Sequence, residues 1–162
     1  MQSLSPRGML VITLSLLLAL VLSVLPLPKW ALLFYPQWLP LVLLYWAIAL
    51  PHRVSLGVAW LLGLLLDGLY GTVLGEHALA LTVITFVAGK LYRQIRMFPI
   101  LQQAFSMMML IVLYQVILMW IQGIMGSLQD VRWFWVSAVV SMLFWPWVYT
   151  ILRSCRRRFS VY

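Results

Sequence analysis

Acid is the scarcest chemistry in this chain: Asp67, Glu76 and Asp130 are its only side-chain carboxylates in 162 residues. Histidine is nearly as rare, with His52 and His77 alone, and Cys155 is the single cysteine. Each shortage excludes something. One cysteine cannot close an internal disulfide or build a thiolate metal site. Metal centres need several convergent ligands, which two histidines and three scattered acids rarely supply. The chain has no His-Glu-x-x-His or Gly-x-Ser-x-Gly pattern, and no second intramembrane acid to pair with Asp67. The reading is a protein that is not an enzyme, with no catalytic residue, no metal and no cofactor.

Charge of either sign is sparse. Only 9% of residues are charged and 65% are hydrophobic, whereas a soluble domain is about a quarter charged and half apolar. A water-soluble exterior cannot be built from such a composition, so lipid must be the solvent for most of the chain. A net charge of +8 would suggest nucleic acid in a soluble protein. Here the basic residues fall between apolar runs and at the ends, the pattern of topology signals and lipid headgroup contacts. The expected environment is membrane lipid, with no nucleic-acid partner.

Roughly 20 apolar residues cross a hydrocarbon core. By that measure about six spans are expected, near residues 8–25, 36–50, 55–70, 76–90, 99–122 and 131–152. They make an all-α polytopic protein, a single integral membrane domain over residues 1–162. The first run resembles a signal peptide, but Leu25 stands where cleavage wants a small residue, so an uncleaved helix is expected. Residues 31–35 either lie in the interface or re-enter the membrane. Pro51-His52-Arg53 divides spans two and three, because a charge at mid-membrane costs at least ~2.5 kcal/mol and proline breaks the helical ladder.

Charge placement tests the count. With six spans and both ends inside, Arg7, Arg53, Lys90, Arg93, Arg96, Arg153, Arg156, Arg157 and Arg158 are cytoplasmic, nine of the eleven basic residues. Lys29 and Arg132 remain outside with Glu76 and Asp130. That bias obeys the positive-inside rule, and an odd number of spans breaks it. Trp30, Tyr35, Trp38, Trp133, Trp135, Trp145, Trp147 and Tyr149 read as interfacial anchors. His52 and Arg53 in their turn, a basic loop of Lys90, Arg93 and Arg96, and the Arg156, Arg157 and Arg158 cluster serve topology or contact a cytoplasmic protein. Cys155 among those arginines could carry a palmitoyl group.

Asp67 demands explanation, since a carboxylate facing lipid is expensive. Gly63, Asp67, Gly71 and Gly75 recur every four residues, one slowly turning face for as long as the segment stays helical. Two readings stand. The four residues form a groove that docks a partner helix or ligand, or they form a glycine-lined internal contact in which Asp67 caps a neighbouring element. Glu76 suits the positive N-terminal end of the next helix. Gln102, Gln103, Gln115 and Gln122 are expected to bond between helices, and Met107-Met108-Met109 is pliable packing surface.

Several segments together resemble one family. Pro36-Gln37-Trp38, then Tyr45-Trp46-Ala47-Ile48-Ala49-Leu50-Pro51-His52-Arg53-Val54, is similar to the signature of MreD, the rod-shape-determining membrane proteins. Gly63 to Gly68, Gly71 to Leu79 and the ending Trp145-Pro146-Trp147 with its arginines match in order and spacing. The resemblance implies a multi-pass bacterial inner-membrane subunit of the elongasome, which directs lateral peptidoglycan synthesis. It implies MreC as partner and, indirectly, MreB, RodZ, and RodA with its transpeptidase. It also implies a likeness to the six-helix S-component of energy-coupling-factor transporters, at fold level only. Two functions follow as expectations: a scaffold that holds MreC, or a protein binding ligand or lipid in an S-component-like pocket around Asp67.

Overall fold

A computed structural model describes residues 6–32, 34–127 and 132–159, and the regular structure among them is entirely helical. The helices are α1 (Pro6–Val24), α2 (Lys29–Leu32), α3 (Trp38–Ala49), α4 (Leu56–Tyr70), α5 (Glu76–Met97), α6 (Ile100–Ile124) and α7 (Arg132–Arg158). Prolines set most of the boundaries. Pro6 opens α1, where a missing N–H costs nothing. Pro26, Pro51 and Pro99 follow the ends of α1, α3 and α5, since the residue before a proline is pushed out of helical geometry.

The shortest of the main helices is the centre of the bundle. α3 reads apolar on every side, and every residue from Leu39 to Ala49 is buried, as expected of a helix surrounded by others. It packs against α1, α5, α6 and α7. Its own residues provide no side-chain cap; the helices around it do so instead. The Gln37 N–H donates to Ser141 Oγ of α7 at 2.9 Å, and the Leu39 N–H donates to Ser23 Oγ of α1 at 3.1 Å. Trp46, fully buried, donates its Nε1–H to Ser15 Oγ of α1 at 2.8 Å. On α7, Ser141, Trp145, Val148 and Leu152 form one buried stripe.

α1, α5, α6 and α7 are each long and apolar enough to cross a membrane, while α3 and α4 are shorter apolar helices. Three expectations need correction. The basic loop of Lys90, Arg93 and Arg96 is not a loop: α5 continues through all three to Met97. Nothing between Gly89 and Phe98 breaks a helix, and Lys, Arg, Gln and Leu favour one. α7 likewise runs on to Arg158, because cations suit the negative C-terminal end of a helix. Trp145 is no interfacial anchor, being 2% exposed, whereas Trp147 is 71% exposed. Asp130 and Val131, the expected start of the last span, lie outside the described residues.

α4 and α5 approach closely at Gly63. A Cβ there would collide with Ala78 Cα and lie 2.5 Å from the Ala78 nitrogen, whereas one on Gly68 would meet nothing within 4 Å. Gly63→Ala should therefore separate the two helices and lower the thermal midpoint in detergent. Gly68→Ala should leave the midpoint unchanged or raise it slightly, by removing freedom from the unfolded chain. Equal midpoints for the two variants would disprove the close approach.

Candidate functional site

The turn between α4 and α5 is built around Asp67. α4 ends at Tyr70, and Gly71 takes the left-handed conformation (φ +68°) that closes helices, its N–H bonding to the Asp67 carbonyl. Gly75, also left-handed (φ +103°), precedes α5 and offers it no side-chain cap. The first N–H groups of α5 need acceptors, and Asp67 supplies them from the preceding helix. Its Oδ2 accepts the Gly75 N–H at 2.8 Å, and its Oδ1 accepts the His77 N–H at 2.9 Å. Oδ1 also accepts the Thr72 hydroxyl at 3.1 Å and lies 2.7 Å from His77 Nδ1, which donates as Nδ1–H. The carboxylate is fully buried. It sits at the positive end of the α5 dipole, where an anion is stabilised.

The neighbours lock this corner to the bundle. The His77 ring packs between Tyr70 and Tyr114, with centroids 5.4 and 6.2 Å away. The Tyr70 hydroxyl donates to the Ser23 carbonyl of α1. Glu76 is buried and accepts the Gln122 Nε2–H of α6 at 2.6 Å. One turn thus ties α1, α4, α5 and α6 together. Beyond it, Leu69, Val73 and Leu74 stand 53%, 47% and 73% exposed.

The four residues expected on one helical face do not share one. Helix α4 stops at Tyr70, so Gly63 and Asp67 face α5 inside the hairpin while Gly71 and Gly75 form its turn. The expected basic residues gather at the other end. His52 and Arg53 are exposed in their turn, Lys90, Arg93 and Arg96 are exposed on α5, and Arg156 is half-buried beside exposed Arg157 and Arg158. Lys90 lies over the Phe86 ring and Arg93 over that of Tyr92, at 5.5 and 5.7 Å. Sequence reasoning missed Thr72 and the pairing of His77 with Asp67; their one signal was a hydroxyl and an imidazole just past the Gly71 turn. Gln122 bonds between helices as expected, and Gln103 reaches the Ile95 and Phe98 carbonyls where α5 ends, but Gln102 is exposed. Among the described residues, no three His, Cys, Asp or Glu side chains gather where they could hold a metal ion.

Comparison with known proteins adds a family. The model of the rod shape-determining protein MreD matches residues 6–155. The rod shape-determining protein MreD of Haemophilus influenzae is 32% identical over 148 residues, covering 90% of each chain. No solved structure matches.

Removing the carboxylate should undo the turn before it undoes the bundle. Asp67→Leu leaves the Gly75 and His77 amides unpaired, at about 1–3 kcal/mol for each buried donor, and Asp67→Asn, which keeps one acceptor oxygen, should cost less. Hydrogen exchange at these two amides should quicken at least tenfold in Asp67→Leu. Unchanged protection would mean that Asp67 does not cap α5.

Proposed function

The chain belongs to the MreD family of rod shape-determining proteins, and from that premise we propose that it is a non-catalytic scaffold of the elongasome that holds MreC. The coarse part follows from the family and the apolar helices: a helical membrane protein with a role in determining rod shape. The rest is our reading. The chain makes six crossings of the bacterial inner membrane as one integral domain, with both ends in the cytoplasm. It binds MreC directly, and MreB, RodZ, and RodA with its transpeptidase through the complex.

Geometry supports the six crossings. α3 has 12 residues, ~18 Å of helix against a ~30 Å hydrocarbon core. A helix enclosed on all sides does not have to match that thickness, because its neighbours meet the lipid. The basic groups also converge. Met9, next to the start of α1, lines a cleft together with Arg53, and Arg96 and Arg156 line another beside Ala49. One positive end fits a cytoplasmic face, and six is the count carried by the resemblance to S-components. His52, Arg53, Lys90, Arg93, Arg96 and Arg156 to Arg158 are then its topology signals, its headgroup contacts or its contacts with a cytoplasmic partner.

The observation that carries the docking reading is the exposed apolar knuckle of Leu69, Val73 and Leu74 on a turn fixed by Asp67. A rigid apolar surface binds a partner helix without first losing conformational entropy. Gly71 and Gly75 have open space where side chains would be, so a helix could approach their backbone closely. In this reading Gly71 and Gly75 are the accessible part of the groove, and Gly63 and Asp67 are its internal support. A ligand pocket around Asp67 is the weaker alternative, because Thr72, Gly75 and His77 already engage the carboxylate.

Leu74→Lys adds a charge to the knuckle without disturbing the bundle interior, and Leu101→Lys does the same at the other end, where Leu101 is 74% exposed. Co-purification from membranes should recover roughly a tenth of the wild-type MreC with Leu74→Lys, a cost of about 1.4 kcal/mol. Leu101→Lys should recover the wild-type amount. If folded Leu74→Lys still captures MreC fully, the knuckle is not the docking surface.

A further inference from the structure

At the end of the bundle opposite Asp67, α3, α5, α6 and α7 enclose a pocket of about 90 Å³. Its polar lining comes from Tyr45, Arg96, Gln103, Trp145, Tyr149 and Arg156. The lining is preorganised. Gln103, 7% exposed, donates from Nε2 to the Ile95 and Phe98 carbonyls at 3.1 and 3.2 Å, which fixes the corner beside Arg96. Tyr45, Trp145 and Tyr149 pack ring against ring, with centroids 5.9 to 6.4 Å apart. Arg153 lies over the outer ring of this trio, 5.7 Å from the Tyr149 centroid.

The pocket gathers charge of one sign. Two guanidinium groups from separate helices line it, and neither Asp67 nor Glu76 does. Arg96 reaches the Ala49 carbonyl at 3.5 Å, one long bond for a group that carries several donors. Bringing like charges together is unfavourable without an anion to share. Two guanidinium groups lining one pocket suit a shared, acceptor-rich anion.

We propose that this pocket binds a phosphate-class oxyanion, held by Arg96 and Arg156. Guanidinium groups match phosphate oxygens in geometry and charge. A cavity needs only ~10–15 Å³ to hold one water, so this one has room for a single tetrahedral anion and not for a nucleotide. Phosphate reaches such a site from two sources. One is the headgroup of an anionic phospholipid lying beside α7, at the level where basic residues meet the membrane surface. The other is free phosphate. The site does not depend on MreC docking at the far end.

Native mass spectrometry of the full chain released from micelles distinguishes these outcomes. The probes are phosphatidylglycerol, phosphatidylcholine and inorganic phosphate. Wild-type protein should retain phosphatidylglycerol over phosphatidylcholine. Arg156→Gln should weaken that retention about tenfold, as expected for the loss of a charged donor to an anion. Arg157→Gln, one exposed residue along, should change nothing. A lipid adduct that survives millimolar inorganic phosphate assigns the site to a headgroup, and one that phosphate displaces assigns it to the free anion. The proposal is overturned if no phosphate-bearing probe is retained. It is equally overturned if folded Arg156→Gln binds like wild type, or if Arg157→Gln loses as much as Arg156→Gln.

Discussion

A carboxylate that leaves water must find donors within hydrogen-bond reach, or it does not stay charged and buried. Asp67 finds them at the start of α5, and that requirement shapes one whole end of the molecule. Its partners fix the angle between α4 and α5. The α4–α5 contact then brings Gly63 against Ala78, too close for any side chain on Gly63. His77, drawn in by the same carboxylate, packs between Tyr70 and Tyr114, and the hydroxyl of Tyr70 reaches α1. Glu76, one residue earlier, engages α6 through Gln122. The polar groups of this corner act as joints between helices, since in lipid the hydrophobic effect does not hold helices together.

The same economy governs α3. Lipid offers no hydrogen bonds to an uncapped helix end, so its donors must be met by protein. Ser23 and Ser141 do this from the helices on either side. Ser137 adds a bond to the side-chain amide of Gln37 and another to the Tyr35 carbonyl. Small hydroxyl side chains serve well because they permit close packing while supplying an acceptor. A helix too short to face lipid becomes a core because its neighbours take over that role.

Much of this was legible in the sequence, for local reasons. Proline and glycine act on their own backbone, so the ends of α1, α3 and α4 follow from Pro26, Pro51 and Gly71. The need of Asp67 for partners follows from one acid among apolar residues. Its partners did not, because two of them are backbone N–H groups, which every residue carries and which leave no mark in a sequence. The arginines of α5 mislead for a different reason: charge suggests the end of a helix, although a helix can leave the membrane and continue into the headgroup layer. Trp145 misleads because α7 carries aromatic residues around its circumference, and only the position of α3 decides which of them is covered. The MreD resemblance reached the family but not the arrangement of this corner.

The serine that caps the start of α3 lies 104 residues further along the chain than Gln37, whose N–H it accepts. Helix α3 is therefore among the first segments to be made and the last to be completed. While the middle of the chain is still being synthesised, the start of α3 has a donor without its final acceptor, held meanwhile by Ser23 alone. Only when α7 packs against it does the central helix acquire its full set of bonds. The most buried helix is thus completed by α7, the helix furthest from it along the chain.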